Sequence, residues 1–233
     1  MTSTPIKIAV AGAGRMGQTL AAAIEQASNL QLVGIWQRGQ AIEPLVEAAD
    51  VVIDFSLPEG TDMVLAAAIA HKKPLVCGVS GLSEAQTQGL AAASAHIPLL
   101  FDRNMSLGIA VLERSIREAA ASLGPGFDIA ISEVHHEHKK DAPSGTALKL
   151  GEAIAASRGE SGTGAVTFEV ERRGEVPGDH EVTMRSGTET LTFAHSVTTR
   201  EVFADGAIRA AQWLVDKEPG QYSMQDVLFA GLG

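Results

Sequence analysis

The chain has 233 residues and a net charge of −10. At ~150 residues per domain this is one large domain or two small ones, with a core that needs no disulfide. Hydrophobic residues at 45% exclude a disordered chain. The apolar run from Met63 to Ala70 is far short of the ~20 residues of a membrane span, and no basic-then-apolar leader precedes the first strand.

Residues 6–10 are β-branched and run into glycines, which predicts a buried strand. A helix is predicted at 16–27, strands at 32–36 and 51–55, a helix at about 61–71 and a strand at 75–77. Ser83 with Gln86 three residues on predicts a capped helix to about 95, and 99–101 is a short strand. Strands alternating with helices predict a doubly wound parallel sheet covered on both faces. After Met105 the pattern changes. A helix at 107–123 stops at Gly-Pro-Gly, a strand follows at 127–134, and a helix runs from Ser144 to about 158. Strands at 166–170, 181–185 and 190–197 then predict a second, α+β domain, and 206–213 reads as a last helix.

Gly12-Ala-Gly14-Arg-Met-Gly17 joins the first strand to the first helix. This spacing makes a tight turn, lets a pyrophosphate approach the backbone, and packs helix on strand. The helix N-terminus offers free N–H groups to the phosphates. The carboxylate expected after the second strand is replaced by Gln37, followed by Arg38. Gln37 does not repel a 2′-phosphate, and Arg38, with Arg15, can pair with one. NADH or NADPH is therefore the expected cofactor. Gly78 and Ser80, after the 75–77 strand, belong to the same crevice. Cys77 reads as a small buried residue, and a lone cysteine fits a reducing cytoplasm.

The stretch Glu133 to Ala147 holds His135, His136 and His138 beside Lys139, Lys140 and Asp141, just before a helix. Ser144 or Asp141 can cap that helix, and Gly145 and Thr146 offer N–H groups at its start. A solvated charged loop, a metal site and an acid/base site that binds carboxylates are the three readings. The lysines oppose a cation, and neither a His-Glu-x-x-His helix nor a cysteine pair is present, so no metal is expected. Net acidity without a Lys/Arg tract also excludes a general nucleic-acid binder.

Residues 133–147 resemble the diagnostic Glu-x-His-His-x-x-Lys-x-Asp-Ala-Pro-Ser-Gly-Thr-Ala of the 4-hydroxy-tetrahydrodipicolinate (dihydrodipicolinate) reductase family. Gly14 to Gly17, Val52 to Ser56, Asn104 to Gly108, Arg173 to His180, Phe203 to Leu214 and Gly220 to Leu228 carry the resemblance over most of the chain. It implies NAD(P)H-dependent reduction of a small cyclic imine dicarboxylate on the route to diaminopimelate and lysine. It implies His135 as proton donor and Lys139 as the charge-stabilising cation, with His136, Lys139, Gly145 and Thr146 on the substrate. Gly12, Gly14, Arg15, Met16, Gly17, Gln37, Arg38, Gly78, Ser80 and Asn104 would take the cofactor. A Rossmann-type domain at 1–105 and 207–233, a substrate and oligomerisation domain at 106–206, and a cytoplasmic homotetramer are implied as well. Val79 and Arg103 depart from the family pattern, and the stretch between the second and third strands is short for it. The rival readings are a metallohydrolase using His135, His136 and His138, a nucleotide sensor without turnover, and a reductase of another imine or aldehyde.

Overall fold

The structure, a computed structural model, describes residues 4–231. The chain divides into two compact units, one running to Leu107 and resuming at Glu201, the other Gly108–Arg200.

In the first unit, β1 (Ile6–Ala11), β2 (Leu30–Trp36), β3 (Val51–Asp54), β4 (Leu75–Cys77), β5 (Pro98–Phe101) and β10 (Gly220–Tyr222) form one sheet. Its order is β10-β5-β4-β3-β1-β2 and every neighbouring pair is parallel. Ala9, Val52, Leu75 and Leu99 face a core shared with α2 (Glu43–Ala48), α3 (Pro58–Ala70) and α4 (Glu84–Ala93). Their strand neighbours Ile8, Val10, Ile53 and Leu100 are equally buried, on the face covered by α1 (Arg15–Gln26) and α7 (Glu201–Leu214), which pack together. Burial on both faces explains why these strands read as continuous apolar runs. The chain leaves β1 to one side for β2 and to the other for β3, so the switch point lies beside β1. The predicted cap of α4 is present: Ser83 Oγ accepts from Gln86 N at 3.2 Å, and Gln86 Oε1 accepts from Ser83 N at 3.1 Å.

Three elements were not legible: α2, β10 and α8 (Met224–Phe229). The two helices have six residues each, under two turns, and Gly220-Gln-Tyr222 has no apolar or β-branched run to mark a strand. The final long helix begins at Glu201, ahead of the expected 206, and the return to the first unit therefore falls at 201 and not 207. Val202 and Phe203 are poor helix formers, but burial of Ala204, Ala207, Ala210, Ala211 and Leu214 along one stripe overrides that. Gly206 lets this helix touch the chain at Met105, whose carbonyl oxygen would lie 1.7 Å from a Cβ.

In the second unit, β6 (Asp128–His135), β7 (Thr167–Arg172), β8 (Asp179–Arg185) and β9 (Thr190–His195) form a mixed sheet in the order β7-β6-β8-β9. The β6–β7 pair is parallel and the others antiparallel. α5 (Leu107–Leu123) and α6 (Gly145–Ser157) cover one face, with Ile109, Leu112, Ile116, Leu150 and Ile154 packed on Ile129, Ile131, Val182 and Met184. A Glu113–Lys149 ion pair at 2.9 Å joins the two helices. Arg158 donates to the carbonyls of Gly124 at 2.7 Å and Phe127 at 3.2 Å, tying the end of α6 to the turn before β6.

Candidate active site

The first unit carries the glycine turn at the switch point. Gly12 has φ +103, and a Cβ there would stand 2.5 Å from the Phe55 carbonyl oxygen. At Gly17 a Cβ would stand 1.8 Å from the Gly12 carbonyl oxygen, so the first turn of α1 admits only glycine at 17. Gly14 is exposed with open space around it, and α1 has no side-chain cap. Its first N–H groups are left for an anion. A cavity of about 460 Å³ extends from Gly12 and Gly14 past Trp36, Gln37 and Arg38 to Leu57. These residues fit a dinucleotide: an open glycine backbone for phosphates, then a pocket ending at a cation. Arg15, Gln37 and Arg38 are exposed, and Met16 is half-buried in the first turn of α1.

Gly78 has a packing reason of its own. A Cβ there would meet the Phe55 ring at 2.5 Å. Ser80 is exposed beside buried Val79. Asn104 accepts from Ser106 N at 2.8 Å and donates its own N–H to Asp102 at 3.1 Å, holding a tight turn after β5. Cys77 is fully buried, and burial with the Asp54 charge pushes its thiol up to about 12, so it is no nucleophile at neutral pH.

The second unit assembles an ionisable layer at one end of its sheet. The inward positions of β6 run Ile129, Ile131, Glu133, His135, and those of β8 run Met184, Val182, His180. Along β7, Phe168 gives way to Arg172, and along β9, Phe193 gives way to His195. Register brings them together: Glu133 pairs with His180, His180 with His195, and His135 with Arg172. Glu133 is 2% exposed, and its two oxygens accept from Ser144 N at 3.0 and 3.2 Å. Arg172 lies 3.5 Å from one of them, and His135 Nδ1 and His180 Nε2 each lie 3.7 Å from the other. Glu133, His135 and His180 thus offer three atoms within 4.8 Å of one another. Arg172 and the Ser144 amide already engage that carboxylate, which disfavours a cation there. The trio of the metallohydrolase reading does not form: His135 is buried, whereas the His138 side chain is 80% exposed and faces Glu175.

Ser144 caps α6, its Oγ accepting from Ala147 N at 3.1 Å. Gly145 and Thr146 are the first two residues of that helix. Lys139 was expected as a cation open to substrate, but its Nζ lies 2.8 Å from Asp141. Burial pulls the Asp141 carboxyl upward, yet Lys139 and the Gly145 amide outweigh it and hold it below its usual range. One protein carboxylate therefore spans two of the expected carboxylate partners. Arg172 fixes this loop, donating to the carbonyls of Lys139 at 3.2 Å and of Asp141. Burial lowers His135 to about 4, with Glu133 opposing the fall, and lowers His180 to about 3. His136, half-buried, is lowered too, by burial and then by Arg200. In the free protein His135 is neutral at pH 7.

Glu133, Arg172, His180 and His195 had no role in the sequence reading. The signal was present as period-two alternation, apolar along each strand and then ionisable at the same end.

A switch-point glycine turn on a parallel sheet, in a chain whose second unit bears a buried histidine–carboxylate layer, defines an NAD(P)H-dependent oxidoreductase of the two-domain class. Family models agree. "Dihydrodipicolinate reductase, N-terminus" matches residues 6–105 and "Dihydrodipicolinate reductase, C-terminus" matches 108–228. The 4-hydroxy-tetrahydrodipicolinate reductase of Zymomonas mobilis is 41% identical over 96% of this chain and 97% of its own length. That of Sulfurimonas denitrificans is 40% identical over 96% and 99%. Among solved structures, a dipicolinate-bound dihydrodipicolinate reductase from Paenisporosarcina sp. TG-14 shares the fold, with a TM-score of 0.79 at 20% identity, covering 97% of this chain and 100% of that one. The chain belongs to the dihydrodipicolinate reductase family.

Proposed function

We propose that this chain reduces the cyclic imine dicarboxylate formed from 4-hydroxy-tetrahydrodipicolinate, with His135 as proton donor and Lys139 as the cation that binds and orients the substrate. The observation that carries the reading is one short segment: the end of β6 at His135, the loop with Lys139 and Asp141, and the start of α6 follow one another, with the loop pinned by Arg172. When bound, the dihydronicotinamide supplies the hydride. Charge then moves through the conjugated C=C–C=N system, and a proton from the His135 imidazolium completes the addition. Lys139 and the Gly145 and Thr146 amides take a substrate carboxylate, which replaces Asp141 on them. His136 follows on the strand and adds a donor beside Lys139. A dianionic substrate at Lys139 also restores the proton affinity that burial removes from His135.

The assay follows NAD(P)H absorbance with substrate generated from pyruvate and aspartate semialdehyde. Oxidation dependent on both precursors is expected, and none with either cofactor overturns the reading. Lys139→Met is expected to raise the substrate KM about tenfold and lower kcat by a comparable factor. An unchanged KM and kcat would remove Lys139 from the site.

For the cofactor, the same reading assigns the phosphates to Gly12, Gly14 and Gly17, the adenine ribose to Gln37 and a 2′-phosphate to Arg38. Arg38→Ala is expected to raise KM for NADPH about tenfold and leave NADH nearly unchanged. Equal effects on both cofactors would exclude Arg38 from 2′-phosphate binding. Arg15, Met16, Gly78, Ser80 and Asn104 complete the proposed cofactor set. We infer further a cytoplasmic homotetramer joined through the second-unit sheet. The face of that sheet away from α5 and α6 presents the small Ala130, Ser132, Thr167 and Thr183 among the charged Asp128, Glu169, Glu181 and Arg185, a mixture that suits a polar interface. Light scattering on the purified protein tests the tetramer.

A further inference from the structure

Glu133 lies at the centre of the buried layer, and the reading above gives it no step. Its side chain is 1% exposed, and the Ser144 amide and Arg172 hold it from one side. His135 faces it with Nδ1 at 3.7 Å, a buried atom with no hydrogen-bond partner of its own. The other ring nitrogen points away, toward Gly178: a Cβ at 178 would stand 3.0 Å from Nε2. One nitrogen of the ring is therefore turned to a buried carboxylate, and the other to a place kept free of a side chain. His180 closes the remaining side, edge-on to His135 with ring centroids 5.1 Å apart, its Nε2 3.3 Å from Ser144 Oγ.

We infer that Glu133 is a positioning residue for the reduction: it keeps the proton of His135 on Nδ1, presents Nε2 as the proton-delivering atom, and carries the imidazolium charge until that proton leaves. This rests on His135 being the proton donor. The Nε2 proton passes to the substrate as the hydride arrives, the ring returns to its neutral Nδ1–H form, and Glu133 stays ionised throughout. A carboxylate that holds the tautomer and stabilises the charged ring without itself taking a proton is the orienting third group of many histidine sites.

The charged and titratable groups facing His135 come from every neighbouring element. Glu133 on its own strand and Asp141 in the loop favour the imidazolium, whereas burial, Lys139 and Arg172 from β7 oppose it. His180 from β8 is neutral at pH 7 and faces the same carboxylate. Substrate carboxylates would offset Lys139, which leaves Glu133 as the charge that keeps His135 protonated in the complex.

The test is Glu133→Gln, close to isosteric, in the full chain with NAD(P)H and substrate. A fall in kcat of about 10- to 100-fold is expected, with KM for NAD(P)H unchanged. The basic limb of the kcat profile should move to lower pH by about one unit, because the imidazolium has lost its stabilising charge. In a His135→Gln background, Glu133→Gln should cost nothing further in kcat. Equal losses in both backgrounds would show that the carboxylate serves the fold alone and overturn the inference. So would a native kcat and pH profile in Glu133→Gln while His135→Gln collapses. If His135→Gln itself keeps full turnover, the proton-donor reading falls first and takes this inference with it. Glu133→Asp keeps the charge but withdraws it from Nδ1. A smaller loss and a smaller pH shift in the same direction are expected there, which keeps the inference testable if the Gln variant does not fold.

Discussion

His135→Gln is expected to lower kcat by about 10²- to 10³-fold and to leave NAD(P)H binding unchanged. The first effect is the loss of a positioned acid. The second follows because the glycine turn and its pocket belong wholly to the other unit. Stability should change with pH in a definite direction. The folded ring titrates at about 4, below the ordinary histidine value of 6.5. Below about 6.5 the unfolded chain takes up a proton that the folded chain refuses. The contribution of His135 is thus fully present above 6.5 and is lost as pH falls through the folded value. Thermal melts between pH 7.5 and 4 should show a shallower loss in His135→Gln than in the native chain. Retained turnover would remove His135 from the first role, and an identical pH dependence of melting would remove it from the second.

Gly17→Val is the second large effect. A Cβ at 17 would lie 1.8 Å from the Gly12 carbonyl oxygen, a backbone atom with no freedom to retreat. Gly12 is itself fixed at φ +103 against Phe55. The turn must therefore open, costing about 3 kcal/mol or more of stability. The amides at the start of α1 then lose their alignment on the phosphates, and NAD(P)H binding should weaken by at least about 100-fold. Fluorescence titration with NADPH reads the binding and a thermal melt reads the fold. A variant that binds NADPH like the native chain would show that this turn does not hold the cofactor.

The glycine turn was legible because its demands are local. Three glycines between a strand and a helix satisfy steric requirements within six residues, and Ser144 and Ser83 cap helices through neighbours three positions away. The alternation of strands and helices was legible for the same reason, since even the short strands at 75–77 and 99–101 are apolar runs between helical stretches. The helices α2 and α8 were not, because six residues hold less than two turns, and β10 was not, because Gly220-Gln-Tyr222 has no apolar run. Helix α7 was misplaced by five residues because local propensity at Val202 and Phe203 opposes what burial of the following alanines imposes.

The sequence by itself determined the fold class, the cofactor turn and the segment from Glu133 to Ala147. It also set an acidic composition that nonetheless groups His135, Lys139 and Lys140 in one place. Only the tertiary structure decided which groups surround those residues. Facing the same core side are strand positions 133, 135, 172 and 180, up to 47 residues apart in the chain, and register between strands makes them neighbours. That pairing turns a glutamate that read as motif into the carboxylate between two buried histidines. In the loop that follows, Lys139 meets Asp141 at 2.8 Å. A low-dielectric interior is what makes these contacts matter: the same groups in water would screen one another, and the burial that lowers His135 to about 4 arises only when the sheet closes under its helices.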